Sequence, residues 1–496
     1  MESFFSFFLD AFNIQTVLLI FSGVLGGILF GALPGLTATM GVTLLMPLTL
    51  NMQLGPLNSM AVLVGIYIGA IYGGSLAAIL ISTPGTPAAA ATVLDGYPMT
   101  QRGEAGRAMT LATLASFTGG MISFLILTTL SPQISRVALK FSYPEYFALA
   151  IFGLSMIITI SGRDVVKGVI SGVFGLLLAT IGLDPISGVP RYTFGISELN
   201  EGIGFIPVLI GLFAFAQVFS DIVEAAEARL TVPDLHFSFP KLKELMREKF
   251  NFLRSSLLGT FIGSLPGAGC DIAAFVSYNE AKRMAKDPDS FGRGNPAGVI
   301  AAECANNGAT GGAMIPMLTL GIPGDAVTAI MLNALIVQNV QPGPMLFRDR
   351  PETVYPIFGS LFIANISMLI LGLFAARYLS RLLLIKKSIL LPIICILSVI
   401  GAYALRNSMF DVWVAVLFGV IGYGMKRWGF PASPIVLALI LGPMAESNLR
   451  RALLRPGASP LLFFTEPISC VLLLIAISSI AYGLYRQRVR PIPGED

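Results

Sequence analysis

Long apolar runs, interrupted at regular places by glycine and proline, dominate this chain. From Ala11 to Leu94, 84 residues pass without an Asp, Glu, Lys or Arg. Further uncharged runs cover 108–135, 203–220, 304–324, 353–376, 388–405 and 467–485. A bilayer core takes about 20 apolar residues per helical span. The pattern therefore predicts an all-α polytopic membrane protein with roughly 10–14 membrane segments. Segments 36–50 and 326–340 are too short to cross comfortably. They are expected to re-enter, pairing inside the protein where irregular backbone can be satisfied. A soluble fold would leave so much apolar surface exposed.

The interruptions repeat. Gly31-Ala32-Leu33-Pro34-Gly35 is echoed by Gly263-Ser264-Leu265-Pro266-Gly267, 232 residues later. Glycines recur at every fourth position before each, at Gly23, Gly27 and Gly31 and at Gly259 and Gly263. A Gly-Gly pair and then a Pro-Gly follow: Gly73-Gly74 with Pro84-Gly85, and Gly311-Gly312 with Pro323-Gly324. Four-spaced glycines let helices approach closely, which is the reading taken for Gly23, Gly27 and Gly259. Two repeats, each with broken helices deep in lipid, predict a secondary transporter.

Charge adds orientation. Charged residues are 12% of the chain, against about 25% in soluble proteins. The polar connector 222–254 joins a first membrane half, 1–221, to a second, 255–485, which includes accessory C-terminal helices; 486–496 is a tail. The lone histidine, His236, falls in the connector and is read as a solvated loop residue. Lys and Arg collect on the cytoplasmic side. That places Arg486, Arg488 and Arg490 inside, together with Arg377, Arg381, Lys386 and Lys387. The N-terminus has no basic residue before Arg102, so it is expected outside, and it lacks the positive region of a cleavable signal peptide. Loop 51–58 carries no charge, whereas its counterpart 277–297 carries Lys282, Arg283, Lys286 and Arg293. The two loops are expected on opposite faces, which makes the repeats inverted. A net charge of +4 reports such loops and no nucleic-acid partner. The cysteines Cys270, Cys304, Cys395 and Cys470 are scattered in apolar stretches and read as small hydrophobes.

The breaks carry the candidate chemistry. Proline removes a backbone donor and glycine permits positive φ. Free N–H groups at a helix start, with the partial positive charge there, suit an anion. Ser75, Ser82, Thr83 and Thr86 add hydroxyl donors, so the first break reads as a carboxylate cradle. The second half is more polar, with Asp271, Glu303, Asn306, Asn307, Thr310 and Asp325 in apolar context. Ionisable groups at membrane depth are expensive and point to function. Asp271, Asn306, Asn307, Thr310 and Asp325 supply oxygens for Na⁺, and an Asp serves H⁺ equally well. Asp325 and Glu303 also read as interfacial carboxylates, and Arg102 and Arg107 as loop charge. There is no G-x-x-x-x-G-K-[S/T], so the chain is not itself an ATPase. A single histidine excludes a His-rich metal site.

Several stretches resemble the large, TctA-like membrane subunit of the tripartite tricarboxylate transporters. They are Gly31–Thr37, Gly69–Pro87, Leu94–Arg107, Gly263–Asp271, Glu303–Gly312 and Leu320–Asp325. The resemblance implies a bacterial inner-membrane protein beside a small membrane subunit, with a periplasmic solute-binding protein delivering a di- or tricarboxylate. It also implies uptake driven by an ion gradient. The expected substrate site is Pro34, Gly35, Thr37, Ser75, Ser82, Thr83, Pro84, Gly85 and Thr86, facing Pro266, Gly267, Pro323 and Gly324. Asp271, Asn306, Asn307, Thr310 and Asp325 are the expected ion-coupling groups, with no organic cofactor. Asp271→Asn is expected to abolish uptake and spare expression. An intramembrane hydrolase or lipid-modifying enzyme and a passive anion channel are the competing readings.

Overall fold

The computed structural model describes residues 2–33, 35–157, 164–223, 240, 242–267, 269–375, 378, 387–404, 406–455 and 459–489. Pro34, Ala268, His236 and most of the connector lie outside them, as do Arg377, Arg381, Lys386 and Arg490. The regular secondary structure of the described residues is helical apart from one two-residue antiparallel pairing, Gly182–Leu183 with Pro190–Arg191. Among the described residues, six helices are long and apolar enough to cross a bilayer. Shorter apolar helices stand beside them, including Ala38–Asn51 and Ala326–Val337, the two short segments expected from the sequence.

Compactness divides the chain into two units, 1–135 with 220–405 and 136–219 with 406–496. Both copies of the repeat fall in the first unit. The first copy is α1 (Ile14–Ala32), α2 (Ala38–Asn51), α3 (Gly55–Ile81) and α4 (Ala90–Gln101). Helix α5 (Ala105–Ala138) follows. The second copy is α6 (Lys249–Gly263), α7 (Gly269–Met284), α8 (Pro296–Leu320) and α9 (Ala326–Val337).

Local chemistry sets these limits. Asn13 caps α1 by accepting from Thr16 N at 2.9 Å. Thr37 caps α2, accepting from Met40 N at 3.2 Å. Gly35 and Gly267 take φ of 93° and 81°, so both turns after the first helix of a repeat need glycine. Helix α3 ends where Ser82 turns left-handed, and α8 ends the same way at Gly321. Pro296 opens α8 behind Asn295, which caps it by accepting from Ala297 N at 2.9 Å.

The four-spaced glycines pack helix on helix. Gly23, Gly27 and Gly31 of α1 lie against the backbone of Val62, Ile66 and Ala70 in α3. Gly65, Gly69 and Gly73 of α3 return the contact to Ile20, Val24 and Ile28. A methyl group on any of these glycines would overlap main-chain atoms. The second copy repeats the device. Gly259 and Gly263 of α6 meet Ala305 and Ala309 of α8, while Gly308 and Gly312 meet Ser256 and Thr260. In lipid, where helices gain nothing from leaving water, such close approach supplies the association energy.

The second unit is held by its own helices and by an ion cluster. Arg450 reaches Asp184 at 2.5 Å and Arg191 reaches Glu446 at 2.6 Å. The Arg450 guanidinium and the N–H groups of Ser187 and Ile186 hold the Asp184 carboxyl well below the usual carboxylate range.

Candidate functional site

Each repeat leaves a helix at its Pro-Gly and starts another a few residues later. In the first, α3 stops at Ile81, a short 3₁₀ turn covers Pro87–Ala89, and α4 begins at Ala90. Gly85 N donates to Gly74 O at 3.3 Å, which folds the break back on its own helix. A side chain on Gly85 would collide with the Gly31 carbonyl, so the break also seals against α1. In the second, Gly267 N donates to Gly324 O at 2.7 Å, tying the turn after α6 to the break after α8. Pro266, Pro323 and Gly324 are all buried there.

The residues that close the breaks differ in charge. Thr86 and Asp325 occupy equivalent places, two residues after Pro84 and Pro323. Asp325 caps α9: its carboxylate accepts from Thr328 N at 2.8 Å, and Thr328 Oγ1 accepts from Asp325 N at 2.9 Å. That helix start is already occupied by an anion of the protein itself. Thr86 is buried, and its hydroxyl has no hydrogen-bond partner. The start of the Pro87–Ala89 turn therefore has a neutral, unengaged neighbour.

The two repeats meet through Tyr67. It lies fully buried in α3 and donates to the second carboxylate oxygen of Asp325. Its hydroxyl also stands 3.6 Å from Cys270 Sγ in α7. The Asp325 break thus touches a helix of the other repeat.

The remaining expected site residues differ in burial and in partners. Ser75 and Thr83 direct their protons to backbone carbonyls, at Tyr72 O (2.6 Å) and Ile81 O (3.3 Å). Thr310 does the same toward Asn307 O at 2.6 Å. Ser82 is exposed, while Pro84 and Gly35 are half-buried. Asp271, in the first turn of α7, is exposed. Asn306 and Asn307 are fully buried in α8. The Oδ1 atoms of Asn306 and Asn307 have no partner, while the Asn306 N–H side bears on the Glu303 carboxylate. Pro34 is outside the described residues.

Two carboxylates proved more embedded than their surroundings in sequence suggested. Glu303, fully buried in α8, accepts from Thr92 Oγ1 of α4 and from Ser116 Oγ of α5 at 2.9 Å. Asp95, fully buried in α4, accepts from Gly292 N (2.9 Å), Gly294 N (2.8 Å) and Asn295 N (2.7 Å). Tyr278 donates to its other oxygen at 2.8 Å. Asp95 is thereby a strap across the loop that opens α8. Arg102 and Arg107 lie close by in the chain. Arg102 donates to Arg293 O, and Arg107 pairs with Glu104 at 2.6 Å and Glu244 at 2.5 Å.

Comparison with known proteins fits this arrangement. The model of the tripartite tricarboxylate transporter TctA family matches residues 17–437, from α1 through both breaks. An uncharacterised 52.8 kDa protein of the TAR-I ttuC' 3' region in Agrobacterium vitis is 37% identical over 464 residues, covering 94% of this chain and 92% of that protein. A second uncharacterised protein, of the TAR-II ttuC' 3' region in the same organism, is 36% identical over 226 residues, 46% of this chain and 93% of that protein. With the matched segment spanning both copies of the repeat, the chain belongs to the tripartite tricarboxylate transporter TctA family.

Proposed function

We propose that this chain is the large membrane subunit of a tripartite importer that takes up an organic di- or tricarboxylate across the bacterial inner membrane, driven by an ion gradient. The family is a transporter family and implies a tricarboxylate transporter component. A small membrane subunit and a periplasmic solute-binding protein complete the assembly in this reading.

The observation that carries the mechanism is the unequal capping of two equivalent breaks. The second break holds its own carboxylate, Asp325, at the start of α9. The first presents the buried, unpartnered hydroxyl of Thr86 at a helix start. An incoming carboxylate is repelled by the one and received by the other. Substrate is therefore assigned to the first break, with the hydroxyls of Ser82, Thr83 and Thr86 as donors beside Pro84-Gly85, and closed over by Gly35, Pro266-Gly267 and Pro323-Gly324; Gly85 N–H is engaged by Gly74 O and is not among the donors. Coupling is assigned to the polar face of α8, Asn306, Asn307 and Thr310, with Asp271 and Asp325 at the neighbouring helix starts. Inverted repeats rocking about this centre give alternating access.

The test is uptake by proteoliposomes holding the large and small subunits, supplied with loaded binding protein. Labelled carboxylate should accumulate above its external concentration under an imposed Na⁺ or H⁺ gradient, and an ionophore should release it. Equilibration without accumulation would assign a passive channel. Turnover of a lipid or peptide by the purified chain would assign an enzyme.

A further inference from the structure

Glu303 is the most deeply buried carboxylate of the α8 face, and no cation balances it. Its surface is wholly covered, and α4, α5 and α8 enclose it. Two hydroxyls donate to it, Thr92 to one oxygen and Ser116 to the other. The titratable side chains that face it are Tyr72 and Cys304. Neither brings positive charge, and no Lys, Arg or His acts on it among the described residues. A lone charge so far from water is expensive unless something neutralises it.

Asn306 supplies the second observation. It stands one turn along α8, fully buried, with its amide facing the Glu303 carboxylate. Its N–H side bears on that carboxylate, and its Oδ1 has no hydrogen-bond partner. An orphaned amide oxygen in a protein interior is costly, and such groups are rare unless a ligand engages them. Here it faces a carboxylate with two hydroxyls already converged upon it. The resulting set is all oxygen: Glu303 Oε1 and Oε2, Thr92 Oγ1, Ser116 Oγ and Asn306 Oδ1. Oxygen donors suit a hard cation, and hydroxyls can serve it without giving up their helices.

We propose that Glu303, Thr92, Ser116 and Asn306 form a Na⁺ site, anchored by Glu303, in which the bound ion neutralises the buried carboxylate. The proposal deepens the reading of the chain as a gradient-driven transporter and rests on it. It moves the anchoring charge from Asp271, which keeps an exposed surface, to a carboxylate sealed among three helices. Sodium then joins α4 of one repeat, and α5 that follows it, to α8 of the other, so its arrival favours the state in which these helices are assembled.

The test uses the purified full chain in detergent at constant ionic strength. Its thermal midpoint should climb saturably as NaCl replaces choline chloride, and stay unchanged when KCl does so. Glu303→Gln should abolish the Na⁺ response. Asn306→Ala leaves Glu303 and both of its hydroxyl donors in place, and its own midpoint in choline is the baseline for its Na⁺ response. Its half-saturating Na⁺ concentration should rise tenfold or more. A wild-type midpoint that ignores Na⁺ overturns the proposal, as does a Glu303→Gln protein with the wild-type response. A midpoint that follows pH instead of Na⁺, in a way Glu303→Gln removes, assigns the carboxylate a proton and also overturns the Na⁺ site. Gradient-driven uptake measured alongside separates the two readings. If uptake persists without any Na⁺ response, this inference fails and the transporter reading stands.

Discussion

Tyr67 shows what a single side chain contributes and why it was not legible in sequence. It lies inside an 84-residue uncharged run, where an aromatic reads as core. Its partner Asp325 is 258 positions away, and only the fold brings them together. Tyr67→Phe should leave one carboxylate oxygen of Asp325 without its donor. The expected cost is about 1–3 kcal/mol, the usual penalty for stranding a largely buried acceptor. Asp325→Ala should cost about 1 kcal/mol more, because the cap of α9 goes too. Thermal melts of the purified variants check this; a Tyr67→Phe protein melting with wild type would remove the link. Glu303 was visible as an ionisable residue in apolar context, but Thr92 and Ser116 were not. Isolated hydroxyls in helices usually bond their own backbone, as Ser75 and Thr310 do here.

At the level of elements, much more was written in the sequence. Gly-xxx-Gly spacing forecast close packing, and α1 against α3 and α6 against α8 bear it out. Pro-Gly forecast helix interruption, and α3 and α8 stop within a few residues of theirs. These features are legible because glycine and proline act on their own backbone, without needing a distant partner. Asp95 was not legible for the opposite reason. Its sequence neighbours Gly96 and Pro98 suggest a loop, yet α4 runs through them and carries the carboxylate to loop 292–295. Asp95→Ala should strand three backbone N–H groups and loosen that loop. Losing charge-assisted bonds of about 1.5 kcal/mol or more should speed tryptic cleavage at Lys286 or Arg293 by roughly tenfold. Unchanged digestion kinetics would mean that the loop holds itself.

For the whole molecule, repeat and compactness divide the chain differently. Both repeat cores lie in one unit, and each half of the chain contributes its later helices to the other. A linear reading cannot foresee such interleaving, because apolar periodicity records burial without naming the neighbour. Inversion of the repeats, expected from the unequal charge of their equivalent loops, predicts sidedness. Single cysteines at Asn51, the exposed last residue of α2, and at the exposed Lys286 after α7 should react with an impermeant maleimide from opposite faces of the membrane. Reaction from the same face would make the repeats parallel.

The account stands on the two breaks facing one solute path. The most direct measurement is substrate protection at both. With the native cysteines replaced, Ser82→Cys reports the first break and Ser264→Cys the turn after α6 that is tied to the second, and Ser290→Cys serves as control. Saturating carboxylate delivered by the binding protein should slow maleimide labelling at 82 and 264 together and leave 290 unchanged. Equal labelling rates with and without substrate at 82 and 264 would contradict the account.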